Sequence, residues 1–513
     1  MIAAAPPRPE GPRPWWESRP FVAALILLSL VPLLTPQVPP LVDLLGHIGR
    51  YRVQLDLHSS PWLQRYYDFE WAPIGNLGMD LLMVPLSRLF GLELAAKLIV
   101  LAIPPMTVAG FLWVAREVHN RVPPTAFFAL PLAYGHPFLF GFTNFALSMA
   151  FAFLAFGLWL RLGRLERTGL RAAIFLPISI IVFFTHTFGW GTLGLLAFSA
   201  EAVRQHDKGV GWLRAGFNAA FHAASMALPM LFMLLWRSET PGDMAIDWFN
   251  FAAKYEWLLM VFRDRWRWFD IGSVIVLLLV IAEAFRNRHL GFSRNLVFTA
   301  LVLGAMFVLL PRIVFGSAYA DMRLAPYLLA IVILAIRFRE ETHLQTARVI
   351  AVLGLAFFVT RIGANTLSLG MAARDQQPLL EMIDRLPVGA RVATFVGAPC
   401  VDGWEMARNS HISGMIIARR QGFSNDQWQI AGSNLLTVRY RAPGIYYADP
   451  SQIVRPNHCR PRVWKIDMAL QYLPRHAFDY VWLIDVPEHD ARLLDGLQPV
   501  WRGEGAMLYR IQP

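Results

Sequence analysis

The sequence predicts a polytopic α-helical membrane protein with about eleven membrane spans and a small α/β domain at its C-terminal end. Apolar residues make up 56% of the 513 residues and charged residues only 16%, well below the roughly 25% typical of soluble domains. The mean hydropathy is +0.41. Apolar runs of the length that crosses a bilayer recur up to Gly370 and stop there. These observations exclude a soluble enzyme and a disordered chain.

The apolar runs give the individual spans. The predicted spans are 21–37, 93–115, 124–141, 143–162, 171–186, 188–204, 215–236, 270–286, 295–311, 324–337 and 347–367. A weaker run, 74–91, contains Asp80, Pro85 and Arg88. If this run lies in the outer leaflet without crossing, the cytoplasmic segments hold 18 Lys/Arg in 70 residues and the external segments 11 in 110. That difference favours eleven spans, a cytoplasmic N-terminus and an external C-terminus.

Three regions follow from this topology. Residues 1–20 form a Pro/Arg-rich cytoplasmic tail, and residues 21–370 form the transmembrane domain. The first external loop, 38–92, is the longest polar insertion in that domain and is the predicted catalytic loop. Residues 371–513 form the extracytoplasmic α/β domain.

The C-terminal domain is predicted from its alternating patterns. Leu379–Leu386 is helix-like, and Arg391–Val396, Phe478–Val486 and Met507–Ile511 are strand-like. The chain contains two cysteines, Cys400 and Cys459, and both fall in this domain. An oxidising compartment allows them to form a disulfide. Two unrelated buried thiols are the alternative.

The basic residues do not indicate nucleic-acid binding. The formal net charge is +11, but the basic patches lie in membrane loops, where they set topology. The sequence has no phosphate-binding glycine loop, no His-Glu-x-x-His and no Gly-x-Ser-x-Gly. Nucleotide-driven transport and zinc proteolysis therefore have no support.

The strongest polar cluster follows the first span. Asp43, His47 and Arg50 are spaced by four and then three residues, so a helix presents them on one face. A carboxylate, an imidazole and a guanidinium directly beyond a span make a candidate reactive cluster. The alternative is an interfacial helix whose charges are only solvated.

Three further external positions hold polar residues. The turn 134–144 contains His136 and Asn144, which are candidates to contact a sugar, or else cap a tight hairpin. His186 interrupts a long apolar stretch and is either a site group or a turn residue.

The last position lies beside a late span. Tyr319, Asp321 and Arg323 follow one another at its external end. An arginine at headgroup level can bind a lipid-linked phosphate through its planar fork of donors. The alternative is an Asp–Arg pair that anchors the helix end.

The order of these features resembles the C-type glycosyltransferase superfamily, which includes protein O-mannosyltransferases, aminoarabinose transferases and oligosaccharyltransferases. A first span, an acidic external loop, about ten further spans and an external C-terminal domain extend over residues 20–513. The resemblance implies that Asp43 is the catalytic acid of the first loop. It also implies that Arg323 lies near the donor phosphate. Members that bind a divalent metal carry acids in the second external loop, and 134–144 has none.

The resemblance implies a bacterial inner-membrane enzyme that transfers a sugar from a polyprenyl-phosphate donor to a glycan, lipid or protein acceptor, with inversion. Asp43 is the predicted base, and Arg323 or Arg50 binds the donor phosphate. The predicted substrate contacts are His47, His136, Asn144, His186, Tyr319 and Asp321. No cofactor is assigned, and a divalent metal lacks support from the second loop.

Three other classes of function stay open at this point. One is an envelope polysaccharide polymerase or ligase, which uses external arginines but does not need Asp43. Another is a purely structural subunit, in which the polar residues stay scattered. The third is a transporter or flippase of lipid-linked sugars. A transporter predicts charged residues at the bilayer midplane, whereas the polar clusters here lie at the external ends of the spans. An enzyme requires Asp43, His136, His186 and Arg323 to converge.

Overall fold

The computed structural model describes most of the chain. The described residues are 14–236, 245–314, 318–339, 344–401, 403–429, 434–460 and 463–512. Of the predicted cytoplasmic tail 1–20, residues 1–13 lie outside the described residues. The first described element is a short 3₁₀ turn, Trp15–Glu17, which leads directly into the first helix.

Helices dominate the first three quarters of the chain. In chain order they are α1 (Arg19–Leu28), α2 (Val31–Leu34), α3 (Leu44–Asp56), α4 (Pro61–Tyr66), α5 (Gly78–Phe90), α6 (Leu92–His119), α7 (His136–Phe140), α8 (Thr143–Arg164), α9 (Thr168–Thr185), α10 (Thr187–Asp207), α11 (Trp212–Ala223), α12 (Pro229–Trp236), α13 (Phe251–Leu259), α14 (Arg267–Arg286), α15 (Arg294–Leu309), α16 (Ala320–Leu334), α17 (Leu344–Ile383), α18 (Gly414–Arg420) and α19 (Ile466–Gln471). Their long apolar runs pack into one continuous core.

Strands are short before residue 390 and form a sheet after it. They are β1 (Tyr67–Phe69), β2 (Leu290–Phe292), β3 (Ile336–Phe338), β4 (Arg391–Gly397), β5 (Phe423–Ser424), β6 (Leu436–Val438), β7 (Ile453–Val454), β8 (Tyr480–Ile484), β9 (Leu497–Gly503) and β10 (Ala506–Ile511). The main sheet has the order β5-β4-β8-β10-β9, and β7 also pairs with β4. The strands around β4 are parallel, and the β8-β10-β9 edge is antiparallel.

Within the described residues, five helices are long and apolar enough to cross a bilayer: α6, α8, α9, α14 and α17. Each coincides with a predicted span. The other predicted spans fall on shorter or less apolar elements, so the count of eleven stays a prediction. The weak run 74–91 contains α5, whose 13 residues extend only about 20 Å at 1.5 Å per residue.

The predicted span 124–141 has a different conformation from the one expected. Residues Pro124–Tyr134 form a 3₁₀ helix, and the short α7 follows after a break at Gly135. Pro131 lies inside the 3₁₀ segment and Pro137 at the start of α7. Proline removes a backbone donor and clashes with the preceding turn, so an apolar run with this spacing does not form one continuous α-helix.

The C-terminal sheet confirms the predicted α/β character of the tail. The expected strands at 391–396, 478–486 and 507–511 correspond to β4, β8 and β10. Cys400 and Cys459 form a disulfide. The predicted domain boundary at residue 370 lies inside α17, which continues from the membrane domain into the C-terminal module without a break.

The first external loop and the C-terminal module are interlocked. Strand β1 of the loop pairs antiparallel with β6 of the module, with Tyr67 opposite Val438 and Phe69 opposite Leu436. Helix α18 of the module lies across α3 of the loop, and the Gly414 carbonyl oxygen would lie 2.5 Å from a Cβ added at Gly49. These contacts place the loop and the module on the same side of the helix bundle.

Candidate functional site

The N-terminus of α3 brings Asp43 against the turn 134–144, which is the predicted second external turn. The backbone N–H of Asp43 donates to the carbonyl oxygen of Phe140 at 2.9 Å. Gly141 has φ +101°, and a Cβ there would lie 2.7 Å from the Asp43 nitrogen. A side chain at position 141 would therefore displace Asp43. The two predicted external segments 38–92 and 134–144 meet at this residue.

Arg323 approaches the same place from the first turn of α16. Its guanidinium Cζ lies 4.3 Å from the ring centroid of Phe142 and 5.9 Å from that of Phe145. The guanidinium attracts the Asp43 carboxylate electrostatically. His186 lies on the other side of Phe145, with ring centroids 5.8 Å apart, and also interacts with the Arg323 charge. Asp43, Arg323 and His186 therefore converge.

The C-terminal module supplies a histidine that completes this cluster. The Nε2 atom of His411 lies 3.9 Å from Asp43 Oδ1 and 4.0 Å from Asp449 Oδ1. Its Nδ1 atom lies 3.2 Å from the backbone carbonyl oxygen of Asp426. Because a carbonyl only accepts hydrogen bonds, Nδ1 carries the hydrogen. Nε2 therefore faces both carboxylates and is the ring atom available to take a proton.

The position of His411 depends on the close crossing of α3 and α18. A Cβ at Gly414 would lie 2.6 Å from the Cα of Gly46, and one at Gly46 would lie 3.2 Å from the Cβ of His411. Glycines at these positions let the two backbones touch. The glycines of α3 thus allow α18, which lies far away in the sequence, to pack directly against it.

An indole ring closes one side of the cluster. The ring of Trp428 lies 4.2 Å from that of His411 and 4.8 Å from that of His47, measured between centroids. Burial and the neighbouring positive charge of Arg50 hold the pKa of His47 well below its ordinary value. A neutral His47 is therefore a neighbour of the cluster and adds no charge to it.

Burial changes the acidity of Asp43. Removal of the carboxylate from water raises the pKa of Asp43 to about 7. His411 and Arg323 oppose this rise, and the negative charge of Asp449 adds to it. A carboxyl group with a pKa near neutrality is suited to take and release a proton at physiological pH.

Two residues expected in the site belong to a separate network. Arg50 forms a two-pronged ion pair with Asp80, at 2.5 and 3.0 Å. Asn144 accepts from the backbone N–H of Met79 and donates to Asn76 and Asp80. Because Arg50 and Asn144 hold α5 against α3 and α8, this geometry does not support their predicted contacts with donor phosphate and sugar.

Asp321 also has a structural partner. Its carboxylate lies 3.2 Å from the Lys254 ammonium and accepts from the backbone N–H of Met322. The sequence left open an Asp321–Arg323 ion pair that anchors the helix end. In the structure, Asp321 pairs with Lys254 instead. This pair ties α16 to α13 and leaves no support for a substrate contact by Asp321.

His136 and Tyr319 lie one layer away from Asp43. Both rings contact Phe140, at centroid distances of 5.9 and 5.8 Å, and both contact Trp257. The His136 ring is buried, and neither ring nitrogen has a hydrogen-bond partner among the described residues. These two residues form an aromatic wall behind the backbone that holds Asp43.

Sequence reasoning missed His411, Asp449 and Trp428. They come from the tail, for which only an α/β pattern was predicted. Nothing in their local sequence sets them apart from other polar residues of the module. The only signal was the glycines of α3, whose meaning depends on what packs against them.

Potential metal ligands gather elsewhere. In the parts of the chain that the structure describes, the group of His, Cys, Asp or Glu ligand atoms close enough to share an ion is Cys400, His458 and Cys459. The two cysteines are joined in the disulfide, which removes the thiolates that bind metals. The Asp43 cluster is separate from this group.

No family model and no curated protein sequence matches the chain. Solved structures of ArnT from Cupriavidus metallidurans, a C-type glycosyltransferase, do match in fold. The ArnT structure bound to undecaprenyl phosphate has a TM-score of 0.51 and 12% identity, over 95% of this chain and 97% of that one. The apo ArnT structure has a TM-score of 0.50 and 13% identity, over 95% and 96%. The predicted resemblance is confirmed at the level of the fold, which this chain shares with ArnT.

Proposed function

We propose that the protein is a membrane glycosyltransferase that uses a polyprenyl-phosphate-linked sugar as donor. The observation that carries the proposal is the meeting of Asp43 and Arg323, a buried carboxylate and a guanidinium from opposite halves of the chain. The similar fold of ArnT, whose structure contains undecaprenyl phosphate, supports the donor class.

The reaction is a single displacement. The acceptor hydroxyl oxygen attacks the anomeric carbon of the sugar, and the bond from that carbon to the donor phosphate oxygen breaks. The phosphate leaves with the electron pair, and the hydroxyl proton passes to Asp43. Attack from the face opposite the phosphate inverts the anomeric configuration. The sugar is a hexose or pentose, and the acceptor is a glycan, lipid or protein hydroxyl.

Asp43 acts as the general base. With a pKa raised to about 7 by burial, it is a stronger base than an exposed aspartate and is still largely ionised above neutral pH. His411 is a positioning residue. Its Nε2 atom, 3.9 Å from Asp43, stabilises the ionised carboxylate when protonated, and Asp449 stabilises the imidazolium in turn.

Arg323 binds the departing phosphate. A guanidinium presents paired donors that match phosphate oxygens, and its stacking on Phe142 fixes its plane. Because the side chain is buried, its charge is only weakly screened by water, and it stabilises the negative charge that grows on the phosphate as the bond breaks.

The reaction is placed at the extracytoplasmic face of the bacterial inner membrane. The excess of arginine in the segments at the other end of the spans supports this orientation. The C-terminal module lies on the same side as Asp43, since β6 pairs with β1 and His411 contacts the cluster. We infer that the module helps to bind the acceptor.

The test is a transfer assay with the full-length protein in lipid nanodiscs. A panel of polyprenyl-phosphate-linked hexoses and pentoses serves as donors, and release of free polyprenyl phosphate is measured. Asp43→Asn is expected to lower kcat by about 10²–10⁴-fold, the usual contribution of a general base. In the wild type, kcat/KM is expected to rise about tenfold per pH unit below pH 7 and to level off above it.

Asp56→Asn is the matched control, since Asp56 ends the same helix and pairs only with Arg52 among the described residues. It should leave kcat within about twofold. Arg323→Gln should weaken donor binding and also lower kcat, because its charge stabilises the leaving phosphate, whereas Asp43→Asn should mainly lower kcat. Unchanged transfer in Asp43→Asn, or no donor cleavage by the wild type across the panel, would reject the proposal.

A further inference from the structure

A cavity of about 1130 Å³ opens at the end of the helix bundle opposite to Asp43. Helix α8 begins at Thr143, beside the candidate site, and its 22 residues end at Arg164, which lines the cavity. At 1.5 Å per residue this helix is about 33 Å long, close to the thickness of the hydrocarbon core of a bilayer. The cavity therefore lies at the level of the other leaflet.

Arginines dominate the polar part of the lining. The arginines are Arg19, Arg116, Arg121, Arg161, Arg164 and Arg348. Two glutamates, Glu17 and Glu117, also line the cavity. Arg164 forms an ion pair with Glu117, with its guanidinium Nη2 atom 2.6 Å from the carboxylate Oε2 atom. An excess of positive charge remains around the opening.

The remaining lining is apolar and faces along the bundle. It includes Val22 and Ile26 of α1 and Ala109 and Leu112 of α6. Trp15 lies in the 3₁₀ turn that precedes α1 and is 41% exposed. Tryptophan at this level is typical of the membrane–water interface. The cavity thus combines several arginines with an apolar wall formed by α1 and α6.

We propose that this cavity binds an anionic phospholipid of the bilayer, with its phosphate among the arginines and an acyl chain along the α1–α6 wall. Guanidinium groups bind phosphate oxygens in pairs, and basic pockets between membrane helices favour anionic headgroups. The apolar wall selects a lipid over a free phosphate, because a soluble anion gains nothing from it.

This site is distinct from the proposed donor site. The two are separated by about the length of α8, so one phosphate group cannot occupy both. A lipid bound here contacts α1, α6, α8 and the start of α17 together. We infer that the bound lipid stabilises the packing of α1, the helix that precedes Asp43, against the rest of the bundle.

The test is native mass spectrometry of the detergent-purified full-length protein titrated with phosphatidylglycerol or phosphatidylcholine. The double variant Arg116→Gln/Arg161→Gln removes two exposed charges that make no ion pair among the described residues. Phosphatidylglycerol binding should fall about tenfold or more, since each basic residue near an anionic headgroup contributes substantially. The wild type should bind phosphatidylglycerol at least about fivefold more tightly than phosphatidylcholine.

The matched control is Arg214→Gln/Arg288→Gln, which removes two exposed arginines that do not line the cavity and that belong to the same predicted side. It should keep wild-type binding. Equal loss in both double variants would show general surface attraction and overturn the proposal. Equal affinity for the two lipids would overturn it too, as would displacement of phosphatidylglycerol by millimolar inorganic phosphate.

Discussion

The start and the middle of α3 carry buried charges in opposite arrangements. In the middle of the helix, Arg50 is bound by both oxygens of Asp80, and Asn144 donates a further hydrogen bond to that carboxylate. At the N-terminus, Asp43 has His411 at 3.9 Å, beyond hydrogen-bond distance. The first, closed group is held by direct internal hydrogen bonds, whereas in the second, open group, among the described residues, Asp43 and His411 lie near each other without a direct hydrogen bond.

This difference is the reason why we assign a structural role to the first group and propose a catalytic role for the second. A buried ion pair whose hydrogen bonds are all internal has little left to offer a substrate, and breaking it is costly. A buried carboxylate without a direct partner is disfavoured in its charged form. It therefore readily binds a proton or stabilises a cationic transition state. Both the start and the middle of α3 carry buried charged residues. What distinguishes the two places is whether the partners of those residues contact them directly.

The largest expected effect comes from opening the closed group. Asp80→Ala leaves Arg50 buried without its carboxylate and should lower the free energy of unfolding by about 3–5 kcal/mol. The measurement is thermal unfolding of the purified protein in detergent. Asp56→Ala is the control, because the Arg52–Asp56 pair on the same helix is about one-third exposed and contributes about 1 kcal/mol or less. Equal losses would contradict the comparison.

The open group should respond in the opposite direction. The pKa of Asp43 rises from 3.8 to about 7 because the site is dry. Ionising Asp43 therefore costs stability, and the cost grows as the pH rises from about 4 to 7. Asp43→Asn should stabilise the protein by about 2–4 kcal/mol at pH 8 and change little at pH 4. Thermal unfolding at both pH values checks this, and a destabilised variant at pH 8 would disprove it.

The smallest expected effect comes from separating the two helices that build the open group. A methyl group at Gly49 would meet the Gly414 carbonyl at 2.5 Å, so Gly49→Ala should cost about 1–3 kcal/mol and move His411 away from Asp43. The proposed transfer activity should fall with it.

The control for this change is Gly363→Ala in α17, where no atom lies within 4 Å of the new methyl group. Alanine is the better helix former, so this variant should be neutral or slightly stabilised. If both variants retain full stability and activity, the tight α3–α18 crossing does not position the site.

Much of the fold was predictable because it follows from the hydrophobicity of the chain, which decides which segments avoid water. Long apolar runs must bury or meet lipid, and the runs at 93–115 and 143–162 became α6 and α8. Strand patterns in the tail gave β4, β8 and β10. The segment 124–141 differed because its prolines act through backbone geometry, which hydropathy does not measure.

The candidate site was predictable only in part. Asp43, Arg323 and His186 stood out because charge at the end of a span is costly and therefore informative. Arg50 and Asn144 carried the same signal, and nothing in the sequence indicated that Asp80 would bind both of them. His411 and Asp449 lacked the signal altogether, since polar residues are ordinary in a water-exposed module.

Hydrophobicity and residue periodicity act locally along the chain, so they were enough to predict a helical membrane protein with a polar loop after its first span and a folded tail. Which charges neutralise one another and which stay apart became known from the packing of the chain in three dimensions. That outcome depends on distances of a few ångströms between segments from distant parts of the chain. Electrostatic energies in a dry interior change steeply over such distances.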